Sequence, residues 1–78
     1  MRRRSMYTRE AISQLRKTFE EGTRVELISL YDPMRCSELN AGEQGMVTYV
    51  DDVATIFVDW DNGVCLGIEY ENDAICRI

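Results

Sequence analysis

The amino-acid sequence predicts a mainly β domain, a small five-stranded antiparallel barrel with one α-helix at its N-terminus. Apolar residues in the first 20 positions recur at spacings of three and four, as on one face of a helix. After Gly22 the apolar period shortens toward two, as in half-buried strands. Five such segments, separated by turn residues, favour a bent barrel, because an open sheet would leave long edges exposed.

The helix is predicted over residues 8–21. Thr8 can cap its first turn, and Gly22 supplies a stop signal after its last. One face carries the apolar side chains Ile12, Leu15 and Phe19. The other face is polar, so we expect the helix to dock on the remaining domain.

The barrel is predicted over residues 22–78, with strands in TRVELISL, GMVTYV, ATIFVDW, VCLGI and AICRI. Val47 and Val50 can both face the core only if a β-bulge lies between them. Asp61-Asn62-Gly63 predicts a tight hairpin, because Asn62 and Gly63 both tolerate positive φ. The predicted barrel core consists of Val25, Leu27, Val47, Ile56, Val58, Trp60, Leu66 and Ile75.

Charge is divided unevenly along the 78 residues, which carry a net charge of −5. Residues 1–21 hold six basic and three acidic side chains, whereas residues 22–78 hold three basic and eleven acidic ones. Such an acidic surface repels phosphate backbones and attracts basic partners. The only basic cluster is Arg2, Arg3 and Arg4, in a predicted flexible tail over residues 1–7.

Composition argues against several classes of protein. No run of 18 apolar residues and no secretory signal is present, so we expect a cytoplasmic protein without membrane contact. Three cysteines and no histidine make a structural zinc site improbable, and we expect no cofactor. The odd number of thiols favours a reducing compartment.

Catalysis is not expected either. Without histidine there is no partner to activate a cysteine nucleophile. A magnesium ion could be held by the carboxylates of Asp51, Asp52, Asp59 and Asp61. Aspartates at hairpin ends are more commonly turn formers, so we predict that the protein is not an enzyme.

Three stretches carry a resemblance to a known family: REAISQLRKTFEEGTRVELISLYDP, GEQGMVTYVDDVATIFVDWDNG and DAICRI. The chain from about Tyr7 to Ile78 resembles short bacterial, phage and plasmid proteins described as a domain of unknown function. That family has the pattern GTRVEL, GxxGxVxxVDD and WDNG. The resemblance implies an SH3-like, KOW-like barrel and a setting of mobile elements, and it supplies no catalytic residues. The segments MRCSELNA and CLGIEYEN depart from the family pattern.

The first functional expectation is a non-catalytic protein-interaction module of a phage or mobile element, whose partner has a basic surface. The residues expected to bind it are Tyr31, Phe57, Tyr70, Asp51, Asp52 and Asp59. One alternative is an anti-CRISPR-like inhibitor that blocks a host nucleic-acid enzyme by phosphate mimicry. Another is a KOW-like nucleic-acid-binding module that uses Arg2, Arg3 and Arg4. The chain is expected to be a monomer or a dimer.

Overall fold

A computed structural model describes residues 7–78. Its elements are α1 (Arg9–Thr18), β1 (Arg24–Ser29), a 3₁₀ turn (Pro33–Arg35), β2 (Gln44–Val50), β3 (Thr55–Trp60), β4 (Cys65–Glu69) and β5 (Ala74–Arg77). Among these residues no helix combines the length and apolar composition needed to cross a bilayer. The basic cluster of residues 2–4 lies outside the described part of the chain.

The five strands form one antiparallel sheet in the order β4-β3-β2-β1-β5. The prediction of a mainly β domain with five antiparallel strands and one helix is confirmed. Strands β4 and β5 lie at the two ends of this sheet. The side chain of Arg35 connects them, donating to the carbonyl of Gly67 in β4 and to Asp73 just before β5.

Helix α1 begins as predicted, because Thr8 Oγ1 accepts a hydrogen bond from the Ala11 N–H at 3.1 Å. It ends earlier than the predicted residue 21, since Phe19 leaves the helical region with φ −119° and ψ 66°. Gly22 therefore does not terminate the helix. With φ +92° it shapes the turn into β1, where its N–H donates to the Val47 carbonyl.

A β-bulge lies in β2, as predicted. The ladder between β2 and β3 pairs Val47 with Val58 and then Tyr49 with Phe57, so one residue of β2 is extra. Val47 and Val50 are consequently both buried. Ile12 and Leu15 of α1, together with Phe19 at its C-cap, belong to the same core.

Six of the eight predicted barrel-core residues are buried, and Leu66 and Ile75 are only partly buried. Both exceptions lie in the edge strands β4 and β5, which have a neighbouring strand on one side only. The buried core also includes Val50, which the bulge turns inward, and three side chains outside the predicted set: Leu39, Ala54 and Ile68.

The predicted turn Asp61-Asn62-Gly63 connects β3 and β4. Trp60 N–H donates to the Val64 carbonyl, so three residues, Asp61 to Gly63, form the loop. Gly63 has φ +95°, whereas Ala54 is the only non-glycine residue of the described chain with positive φ. This is the three-residue arrangement in which a single glycine takes the left-handed conformation. Asn62 instead uses its side chain, accepting from Val64 N–H and donating to the Glu38 carbonyl.

A buried carboxylate joins the long loop to the end of the sheet. The Asp73 side chain has no solvent exposure. Its Oδ1 accepts from Tyr31 N–H at 2.7 Å, and its Oδ2 accepts from Glu69 N–H at 2.9 Å and Arg35 Nη2 at 2.8 Å. Burial alone would raise the pKa of Asp73, but these hydrogen bonds outweigh it and hold the pKa below its usual range.

Replacing Trp60 with alanine should lower the free energy of unfolding by about 3 to 5 kcal/mol, as buried aromatic truncations do. Trp60 is 3% exposed, and its indole N–H donates to the Leu66 carbonyl. Urea unfolding followed by circular dichroism measures the change. The exposed neighbour Asp59, changed to asparagine, is the control and should alter stability by less than about 0.5 kcal/mol. The opposite ranking would contradict the assignment of Trp60 to the core.

Replacing Asp73 with asparagine should lower the free energy of unfolding by about 1.5 to 3 kcal/mol at neutral pH, because one amide oxygen cannot accept from three donors. The folded-state pKa is depressed, so this carboxylate stabilises the fold above its unfolded pKa of about 3.9. That contribution is lost as the pH falls through the folded pKa. Urea titrations should therefore show the wild-type advantage shrinking below about pH 4. An advantage independent of pH would contradict the role of the charge.

Candidate partner-binding surface

The solvent-facing side of β2, β3 and β4 is a candidate surface for a partner. Side chains alternate across a strand, so the residues between the core positions face outward. We call this surface the outer face, and it consists of Met46, Thr48, Tyr49, Phe57, Asp59, Cys65 and Gly67.

An aromatic pair occupies the centre of the outer face. The β2 bulge turns both Thr48 and Tyr49 away from the core, so that Tyr49 lies directly across the ladder from Phe57. Their rings stack with centroids 5.9 Å apart and an interplanar angle of 24°. Tyr49 is 57% and Phe57 38% exposed. Two large exposed rings in contact form an apolar platform on an otherwise acidic domain.

Gly67 makes room for this platform on the β4 side. It pairs with Phe57 across the ladder between β3 and β4. A Cβ atom at Gly67 would lie 2.7 Å from Thr55 Cγ2 and 3.2 Å from Phe57 Cε1. A side chain at residue 67 would therefore clash with Thr55 and crowd the Phe57 ring.

An open groove of about 440 Å³ runs along the outer face. Its walls are Thr48, Tyr49, Phe57, Val58, Asp59, Cys65, Leu66 and Gly67, so it holds one carboxylate and no basic residue. The Cys65 thiol donates to Asp59 Oδ1 at 3.5 Å. That hydrogen bond and the nearby negative charge raise the pKa of Cys65, which keeps the thiol protonated and weakly nucleophilic.

A second groove of about 330 Å³ also has Tyr49 in its wall. It shares Thr48 and Tyr49 with the first groove and continues to Glu20 and Glu21, both exposed, after the end of α1. Arg16 also lines it. The Arg16 guanidinium is already engaged, since Nε donates to the Val50 carbonyl at 3.0 Å and Nη2 to Asp52 at 2.8 Å.

The three predicted aromatic anchors do not converge. Phe57 lies on the outer face beside Tyr49, as described above. Tyr70 meets Tyr7 edge-on, with centroids 6.1 Å apart, and lines a separate groove along α1. Tyr31 follows β1, is 77% exposed, and donates its backbone N–H to Asp73. Only Phe57 among the predicted anchors is part of a larger aromatic surface.

The predicted acidic residues have different surroundings. Asp51 Oδ1 accepts from the N–H groups of Val53 and Thr55, as a turn-forming aspartate does. Asp52 forms an ion pair with Arg16 on the helix. Asp59 alone of the three lies on the outer face. Within residues 7–78 no three cysteine or acidic side chains converge as metal ligands.

Ion pairs engage Arg24 of β1 and Arg35 of the 3₁₀ turn. Arg24 in β1 donates through both terminal nitrogens to the Asp61 carboxylate, at 2.9 and 2.5 Å. This bidentate contact lowers the pKa of Asp61. Arg35 is held by Asp73, with Glu69 Oε2 3.9 Å away. Neither guanidinium is free to form the basic patch that a phosphate backbone requires.

Tyr49 and Gly67 were not among the predicted site residues. A signal for Tyr49 was present, because a bulge that buries both Val47 and Val50 must turn the residue before Val50 outward. No comparable signal in the sequence marks Gly67, because the space that it leaves beside the Phe57 ring depends on the pairing of the two strands.

Replacing Gly67 with alanine should lower the free energy of unfolding by about 1 kcal/mol or more, because the new methyl group clashes with Thr55 and Phe57. A double-mutant cycle with Thr55→Ser, measured by urea unfolding, tests this reason. Thr55→Ser removes the methyl group nearest to the new Cβ, so the double variant should lose less stability than the two single changes together. If the double variant loses as much stability as the two single variants added together, the proposed clash is contradicted.

No curated protein and no solved structure matches this chain significantly. The model of one protein family, described as a domain of unknown function (DUF4314), matches residues 8–78, that is, α1 with its cap and all five strands. Since this match covers nearly the whole sequence, the chain belongs to the DUF4314 family.

Proposed function

We propose that the protein is a non-catalytic binding module that docks a protein with a basic surface on its outer face. The observation that carries this proposal is the stacked, exposed Tyr49–Phe57 pair beside the carboxylate of Asp59. Exposed aromatic side chains are the residues that most often dominate binding energy at protein interfaces.

The charge distribution supports a basic partner. Residues 22–78 carry eleven acidic side chains against three arginines. Asp61 and Asp73 engage two of those arginines, so much of the remaining carboxylate charge faces solvent. A surface of this kind accelerates encounter with a positively charged protein and makes binding sensitive to salt.

The strand arrangement supports the proposal of an SH3-like barrel. Strands β2, β3 and β4 form a meander, and β1 pairs with both β2 and β5. This order suits a bent sheet whose two halves share one core. A phage or mobile-element origin and a cytoplasmic setting remain part of the proposal through the resemblance in the family motifs.

A second candidate function is inhibition of a host nucleic-acid enzyme by phosphate mimicry. The same excess of carboxylates favours it, since such an enzyme offers the basic channel that an acidic domain would fill. Direct nucleic-acid binding has less support, because Arg24 and Arg35 are held in ion pairs. The basic residues 2–4 lie outside the described structure.

Affinity capture from bacterial lysate tests the proposed function. The immobilised proteins are the wild type and two variants. Tyr49→Ser removes a tyrosine of the outer face, and Tyr31→Ser, the control, removes an exposed tyrosine that lies away from that face. We expect the wild type and Tyr31→Ser to retain the same protein, and Tyr49→Ser to lose it. Raised salt should release the captured protein, because the attraction is electrostatic.

Two outcomes change the conclusion. Equal capture by wild type and Tyr49→Ser, with both proteins folded by circular dichroism, would show that the outer face is not the binding site. Release of the captured protein by added duplex DNA would identify a nucleic-acid-binding partner and favour the inhibitor function.

A further inference from the structure

We propose that the outer face seats an arginine side chain from an extended segment of the partner protein, with its guanidinium against Tyr49. This inference rests on the proposed function and specifies the chemistry that the surface recognises. It depends on where Tyr49 lies relative to the carboxylates, and on what those carboxylates already contact.

Tyr49 lines two grooves that each contain carboxylates. Phe57 and Asp59 line one of them, and Glu20 and Glu21 line the other. A side chain that reaches Tyr49 from solvent therefore enters a surface lined by carboxylates in either groove. A cation near the face of an aromatic ring is attracted by the ring quadrupole, and the flanking carboxylates add to this attraction.

The one basic residue at these grooves does not compete for that position. Arg16 lines the second groove, but its guanidinium contacts Asp52 and the Val50 carbonyl. The charge of Arg16 is balanced by Asp52, so Glu20, Glu21 and Asp59 leave the surface around Tyr49 negative.

The geometry favours arginine over lysine. Phe57 stacks against the Tyr49 ring at an interplanar angle of 24°, and Tyr49 is 57% exposed, so a planar guanidinium can stack on the part of the ring that Phe57 leaves uncovered. Guanidinium also forms paired hydrogen bonds with a carboxylate, which an ammonium group cannot do in the same plane. The two grooves share Thr48 and Tyr49, so an extended segment that crosses Tyr49 can contact both.

The test is a titration of the ¹⁵N-labelled full-length protein with three synthetic peptides, followed by two-dimensional NMR. The peptides share the sequence Gly-Ser-X-Val-X-Ser-Gly with blocked ends, where X is arginine, lysine or citrulline. We expect the arginine peptide to shift the amide signals of residues 48–49, 57–59 and 65–67. Lysine should bind about two- to five-fold more weakly, and citrulline, which keeps the shape but lacks the charge, should bind weakest.

Matched variants assign the contacts. Tyr49→Leu keeps an apolar side chain but removes the ring, and should weaken arginine-peptide binding about two- to five-fold. Tyr49→Phe keeps the ring and should bind like the wild type. Asp59→Asn should weaken binding and its salt dependence, whereas Glu38→Gln, an exposed acid outside both grooves, should change neither.

Several results would overturn the inference. The first is the absence of any shift at about 5 mM arginine peptide, a concentration at which binding with a Kd of about 1 mM would be detected. The others are equal binding of the arginine and lysine peptides, and shifts centred on Tyr31 or Tyr70. A concentration-dependent dimer in sedimentation, lost in Tyr49→Leu, would assign the face to a second copy of the chain. If lysate capture still depends on Tyr49 while the arginine peptide fails, only this inference falls. If both fail, the proposed function falls with it.

Discussion

The β-bulge in β2 is the constraint on which the rest of the structure depends. Because Val47 and Val50 must both reach the core, one residue of β2 has no partner in β3, and the strand bends around that core. The same extra residue turns Tyr49 outward against Phe57. A single irregularity in one strand therefore creates both the bend that buries the core and the aromatic platform that we assign to binding.

The three motifs GTRVEL, GxxGxVxxVDD and WDNG have identifiable structural roles. In GxxGxVxxVDD, Gly42 has φ +96°, and a Cβ at Gly45 would lie 2.7 Å from the Asp59 carbonyl oxygen. Asp51 accepts the hydrogen bonds that form the following turn. The motifs GTRVEL and WDNG are joined by the ion pair of Arg24 with Asp61. Each motif thus contributes to packing, turn geometry or pairing.

Local patterning predicted much of the architecture, whereas contacts between distant segments were not predictable from it. The helix cap, the five strands and the bulge follow from neighbouring residues, so the sequence alone indicates them. The pairing of Arg35 with Asp73 joins segments 38 residues apart, and the space that Gly67 leaves for Phe57 depends on the adjacent strand. Of the predicted binding residues, Phe57 and Asp59 share the outer face. The sequence does not distinguish Tyr31 and Tyr70 from Phe57 as binding residues, because exposure and ring contacts depend on tertiary packing.

The central claim is that a partner protein contacts the platform formed by Tyr49 and Phe57. Site-specific photo-crosslinking in living bacteria tests it most directly, with a photoreactive phenylalanine analogue placed at position 49 or, as the control, at position 31. Both native tyrosines are exposed, at 57% and 77%, so either position tolerates the analogue. The account predicts a covalent adduct with one protein from position 49 and none from position 31. Adducts from position 31 alone would contradict it.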